Sequence, residues 1–225
     1  MKKLLSIMFM FCLFMIFTLA ACGSDNEQTG NNSSKPVTAE PAASEQKEAA
    51  NKKALVVFFS MPDNVDDSTV VINGKKLGNT QYMAYVIQQN ADADIFRIEP
   101  KTPYTTNHQA LVNQTKKEQD ANFRPAIKDS IANFDSYGTV FIGYPIWWSD
   151  MPMIMYTFFD TYDFSGKTIV PFSTHGGSRF AGTPSIIEQL EPKAKMVKGL
   201  TISRDDIQEA EQDIINWLEN IGYKK

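Results

Sequence analysis

The stretch Ala54-Leu55-Val56-Val57-Phe58-Phe59 decides the fold. Six consecutive apolar residues, rich in β-branched and aromatic types, are too short for a buried helix. They read as a strand covered on both faces, as in a parallel sheet. Similar short runs recur at 95–98, 139–143, 168–172 and 197–202, and helix-forming segments lie between them at 80–91, 108–121 and 152–162. Pro152 stands where a first helical turn tolerates proline. The last helix is the clearest: Asp205 and Asp206 open it, Ile207, Ala210, Ile214, Leu218 and Ile221 form one apolar face, and Gly222 ends it. Five strands interleaved with helices predict an α/β fold, a doubly wound five-stranded parallel sheet with helices on both faces. Such a sheet binds its ligand at the carboxyl ends of the strands, next to the topological switch point. The loops that follow the strands are therefore the ones to read.

The first loop begins at Ser60 and is split by an insertion of 17 residues, Met61 to Leu77. Within it Val70-Val71-Ile72, Asn73-Gly74 and Lys75-Lys76-Leu77 predict a hairpin on a type I′ turn. Without the insertion Ser60 faces Gly78-Asn79-Thr80-Gln81 at a helix N-terminus, a set of hydroxyls and backbone N–H groups suited to an anion, although Gly-Asn-Thr before a helix is more often a plain cap. In the second loop, Gly143-Tyr144-Pro145-Ile146-Trp147-Trp148-Ser149-Asp150, adjacent tryptophans diverge, so at least one faces the crevice and can stack on a planar ring; the alternative is a corner packed by one of them. The third loop is Ser173-Thr174-His175-Gly176-Gly177-Ser178, whose paired glycines permit close backbone approach. His175 is one of two histidines, and the other, His108, lies in a separate segment, which disfavours a metal site. Neither Gly-x-Ser-x-Gly nor Gly-x-Gly-x-x-Gly occurs, which disfavours hydrolytic and Rossmann dinucleotide chemistry.

The N-terminus is an address rather than part of the fold. Lys2 and Lys3 precede an apolar run of about 15 residues, shorter than the ~20 of a spanning helix, ending in Leu19-Ala20-Ala21-Cys22-Gly23. This resembles the lipobox of bacterial lipoproteins, whose cysteine receives a diacylglyceryl group and becomes the first mature residue. The expected organisation is a signal peptide at 1–21, a lipidated Cys22 with a disordered tether to 51, and one domain at 52–225. The tether, rich in Ser, Asn, Gln, Glu, Ala and Pro, has too little apolar surface to offset its ordering entropy, and its r.m.s. reach is roughly 30 Å. The expected location is thus extracytoplasmic, on the cell membrane. Cleavage takes the net charge from −4 to −6, and the basic residues are scattered, which argues against nucleic acid. Both cysteines, Cys12 and Cys22, lie in this leader, so the domain has neither a disulfide framework nor a thiolate metal site.

Taken with their order and spacing, the Gly143 to Trp148 and Thr174 to Ser178 motifs resemble the flavodoxin-like superfamily, in particular its branch with Gly-x-Pro-x-Trp-Trp and Thr-His-Gly-Gly-Ser loops. The resemblance implies strand order 2-1-3-4-5 and FMN as cofactor. It also implies that Ser60, Asn79, Thr80 and Gln81 hold the phosphate, that Pro145, Ile146, Trp147 and Trp148 line the isoalloxazine, and that Thr174, His175, Gly176 and Gly177 close its other edge. The implied activity is electron transfer to a redox partner, or reduction of a small acceptor such as a quinone by an FMN-dependent oxidoreductase. The other reading is a non-redox surface-binding module that retains the fold, which the split first loop favours.

Overall fold

The computed structural model describes residues 53–61 and 68–223. The expected signal peptide at 1–21, Cys22 and the tether to 51 lie outside the described residues, as do 62–67 of the insertion. In chain order the elements are β1 (Ala54–Phe59), β2 (Thr69–Ile72), β3 (Lys75–Gly78), α1 (Asn79–Asn90), β4 (Ala93–Ile98), α2 (His108–Asp120), β5 (Thr139–Pro145), α3 (Met153–Thr161), β6 (Thr168–His175), α4 (Thr183–Leu190), β7 (Lys195–Met196), β8 (Leu200–Ser203) and α5 (Glu211–Asn220).

Every residue of β1 is buried. Its side chains alternate between two cores. Ala54, Val56 and Phe58 join a layer with Met83 and Ile87 of α1 and Ile214 and Leu218 of α5. Leu55, Val57 and Phe59 join a layer with Leu111 of α2, Ile154 and Phe158 of α3 and Ile187 of α4. The period of two in the strand thus produces helices on both faces. The conspicuous aromatics of the sequence pack in these layers: Phe158 and Phe159 in the second, and Trp217 in the first, with its indole N–H on the Lys198 carbonyl at 3.1 Å.

Across the sheet the order is β4-β1-β5-β6, all parallel, with both β7 and β8 on the outer edge of β6. The fifth position is therefore not the single strand expected at 197–202. β7 pairs with Thr168 and Ile169, and β8 with Phe172 to His175, so the interruption falls opposite Val170 and Pro171. Proline has no N–H to give the ladder, and in this place the outer strand breaks. Gly199 fills the break: a Cβ there would stand 2.3 Å from the Pro171 carbonyl oxygen. The last helix also begins later than its apolar pattern suggests, with Ile207–Glu209 forming a 3₁₀ turn before α5.

The insertion forms the expected hairpin, β2 paired antiparallel with β3. Asn73 and Gly74 both have positive φ, 51° and 76°, as a type I′ turn requires.

Two consequences for stability follow. A Cβ on Gly143 would lie 2.2 Å from the buried Phe172 ring. Gly143→Ala is expected to cost about 1–3 kcal/mol through overpacking, and Phe172→Leu to recover part of that loss, both measured by denaturant unfolding. Burial, and then the neighbouring Asp163 and Asp160, push the Glu191 carboxyl up to about 7. A carboxyl raised in the folded state favours folding while protonated, so this contribution is lost as pH rises from about 4.5 to about 7. Glu191→Gln is expected to match the native chain near pH 4 and to be the more stable of the two at pH 8.

Candidate functional site

The carboxyl ends of β1, β5, β6 and β8 open onto one cleft of about 320 Å³, at the low end of the usual range for small-molecule sites. Ser60 follows β1, and Asn79 and Thr80 begin α1. All three are buried at the cleft. The insertion does not separate them, because it is pinched off at its base: the Asn79 N–H donates to the Ser68 carbonyl at 2.8 Å, which returns Ser68 to the cleft beside Ser60. Thr80 Oγ1 is 2.8 Å from Thr174 Oγ1, a hydrogen bond that ties the first turn of α1 to the end of β6.

Gln81 does not line the cleft. Its Oε1 accepts the Gly78 N–H at 3.1 Å and its Nε2 donates to the Tyr85 hydroxyl at 2.8 Å, so its side chain caps and braces α1. Gly177 likewise lies outside the lining, with its N–H donated to His175 Nδ1 at 2.9 Å. His175 and Gly176 do line it. Burial, and then the nearby Arg179, hold the His175 imidazole below its ordinary value against an opposing pull from Asp206. The ring is therefore neutral at pH 7, with Nδ1 serving as acceptor.

Pro145, Ile146, Trp147 and Trp148 form another side of the cleft. Trp147 packs edge-on against Phe59 and Tyr104, with centroids 5.3 and 5.9 Å away. Trp148 remains 44% exposed. Its indole N–H donates to Thr115 at 3.1 Å, its carbonyl accepts from Gln119 at 3.2 Å, and Lys116 lies 5.9 Å over its ring. Reciprocal backbone hydrogen bonds of 2.9 Å between Trp147 and Asp150 close a tight turn. At its centre Trp148 and Ser149 have φ of 53° and 59°, the left-handed region that non-glycine residues rarely adopt. Asp150 braces the turn by accepting from the Met151 N–H at 2.6 Å and the Tyr156 hydroxyl at 2.9 Å. Burial and that carboxylate keep the Tyr156 phenol protonated, so it remains a donor.

Seven residues that line the cleft were not assigned to the site from the sequence: Met61 and Ser68 from the two ends of the insertion, and five from further along the chain. His108, Leu111, Val112 and Thr115 come from one face of α2, and Arg204 follows β8 directly. Their positions depend on how α2 and the fifth strand pack, and no local motif marks them. Both histidines of the chain thus reach the cleft, yet among the described residues no group of three or more metal-binding side chains forms. None of the described lining residues is acidic; Asp63, Asp66 and Asp67 belong to 62–67.

The flavodoxin family model matches residues 69–221. This chain belongs to the flavodoxin family. Among solved structures this chain is similar to a candidate flavoprotein from Bacteroides eggerthii, with 30% identity over 77% of this chain and all of that one and a TM-score of 0.62. It is also similar to one from Bacteroides uniformis, with 26% identity over 72% of this chain and 98% of that one and a TM-score of 0.56. A flavoprotein from Lactobacillus acidophilus in complex with FMN shares 15% identity over 72% of this chain and 99% of that one, with a TM-score of 0.52, a likeness of fold. No curated protein matches the chain.

The donor set fits a flavin nucleotide. Hydroxyls and an amide gather where α1 presents its positive end, and two indoles stand across the cleft from them. The aromatic side depends on its turn. Asp150→Ala is expected to cost about 1–3 kcal/mol, because the Tyr156 hydroxyl and the Met151 N–H lose their acceptor. Denaturant unfolding, with Trp148 fluorescence as a local reporter, measures both the loss and the loosening of the turn.

Proposed function

We propose that this chain is an FMN-binding flavoprotein, tethered to the outer face of the cell membrane through a lipid on Cys22. It carries electrons or reduces a small acceptor such as a quinone. The observation that carries this reading is the meeting, in one cleft, of the Ser60, Asn79, Thr80 and Thr174 donors with the Trp147 and Trp148 indoles. Family membership and the neighbour crystallised with FMN support the choice of flavin. The leader ending in Ala21-Cys22 supports the tether. Among the described residues no helix is long and apolar enough to cross a membrane.

FMN, when bound, supplies the redox chemistry, because its ring takes up and releases one or two electrons. The protein does the rest. Ser60, Ser68, Asn79 and Thr80 offer neutral donors to the phosphate, while Trp147 and Trp148 offer apolar planes to the ring and exclude water from one side of it. The neutral His175, whose Nδ1 accepts the Gly177 N–H, keeps its other ring N–H as a donor on a residue of the cleft lining. The exposed edge of Trp148 leaves room for a planar acceptor to approach from solvent.

The split first loop is the feature that favours the second reading, a non-redox binding module. Its pinched base, with Ser68 returned beside Ser60, weakens that reading.

The full-length chain, extracted from membranes in detergent, stripped of flavin and mixed with FMN, is expected to regain visible flavin absorbance and to quench flavin fluorescence. Replacing Trp147 by Ala is expected to weaken that binding on the order of tenfold, as loss of a stacking partner does. Cys22→Ala is expected to move the protein from the membrane fraction to the medium or periplasm without changing FMN affinity. A chain that binds no FMN would leave the non-redox reading standing.

A further inference from the structure

The turn that carries the two indoles is held from two helices. On one side, Thr115 of α2 accepts the Trp148 indole N–H and Gln119 donates to the Trp148 carbonyl. On the other, Tyr156 of α3 donates its hydroxyl to Asp150, at 2.9 Å from both carboxylate oxygens. Arg124, in the segment that follows α2, links the two sides without lining the cleft. Its guanidinium carbon lies 4.8 Å from the centroid of the Tyr156 ring. Its Nε donates to Asp160 Oδ2 at 2.9 Å, and its Nη1 donates to the Asn122 side chain at 2.7 Å and to the Asn122 carbonyl at 3.3 Å. Tyr156 and Asp160 stand one turn apart on α3, so a single guanidinium reaches both. Beside them the Thr157 hydroxyl donates to the Pro125 carbonyl at 2.8 Å and pins the same segment to α3.

We propose that Arg124 is a positioning residue for the aromatic side of the cleft, acting through Tyr156 and Asp150 on the turn that carries Trp147 and Trp148. Its effect on ligand binding rests on the flavin reading given above; its effect on the indoles does not. Charge alternates along the path, from the Asp160 carboxylate to the Arg124 guanidinium, the Tyr156 phenol and the Asp150 carboxylate. A cation over an aromatic face is attracted to the ring's electron density. It also draws that density away from the phenol oxygen, which makes the hydroxyl a stronger donor to an ionised acceptor. The direction of the phenol's acidity agrees: burial and Asp150 push its pKa up, and Arg124 opposes them. The turn needs such support. Trp148 and Ser149 are consecutive non-glycine residues in the left-handed region, a conformation that persists only where its surroundings over-determine it.

The test uses the full-length chain in detergent with fluorine-labelled tryptophan, each indole resonance assigned by replacing one tryptophan at a time with Phe. Read without flavin, Arg124→Gln is expected to shift the Trp147 and Trp148 resonances and to leave that of Trp217, in the other core layer, in place. In a titration with FMN the same variant is expected to bind on the order of three- to tenfold more weakly. Arg124→Lys, which keeps the charge without the planar fork, is expected to recover part of both effects. The cycle with Tyr156→Phe checks the route: once the hydroxyl is gone, Arg124→Gln is expected to change FMN affinity by less than about twofold. Unmoved Trp147 and Trp148 resonances in Arg124→Gln would overturn the proposal. So would an equal shift of Trp217, which marks general loosening, or full additivity with Tyr156→Phe. A native chain that binds no FMN would remove the flavin reading, while the resonances of the flavin-free protein would still decide whether Arg124 sets the turn.

Discussion

Burial of β1 on both faces is the constraint from which the rest of the structure follows. A six-residue strand with no exposed side chain can only be satisfied by two helical layers, and two layers over a parallel sheet force every crossover to return over one face or the other. All strands of the main sheet then point the same way, so the loops after β1, β5, β6 and β8 emerge at one end. The cleft is a geometric result of that arrangement. Its chemistry is set by which layer each loop leans on, with indoles on the α2 side and hydroxyls on the α1 side.

Much of this was legible in the sequence because the decisive signals are local. The run at 54–59 announces a doubly covered strand, Asn73-Gly74 announces a type I′ turn, and loops placed after strands are ligand loops by topology. Ten of the twelve residues assigned to the flavin site by resemblance line the cleft. The two that do not, Gln81 and Gly177, are engaged elsewhere in ways that depend on backbone geometry: one caps a helix, the other hands its N–H to an imidazole.

What the sequence left unread is long-range. His108, Leu111, Val112 and Thr115 reach the cleft because one side of α2 borders it, and Arg204 because the outer strand breaks and resumes. The break had a visible signal in Pro171, whose missing N–H must face a neighbour somewhere. The same residue read only as part of an apolar run gives one continuous fifth strand. Gly143 shows a similar shift of meaning. In the sequence it is only the first residue of the Gly143 to Trp148 motif, whereas in the structure the space above its Cα is taken by the Phe172 ring.

The interrupted outer strand also bears on how copies of this protein behave next to one another. A long, flat edge is a template on which a second chain can add a strand, and the hazard grows with crowding. Here the edge beyond β6 offers one piece of two residues and one of four, with Gly199 pressed against a proline carbonyl between them. Among the described residues, that side of the sheet presents no continuous strand for a neighbour to zip onto. When copies crowd together, that broken side is a poorer template for an added strand than an unbroken one.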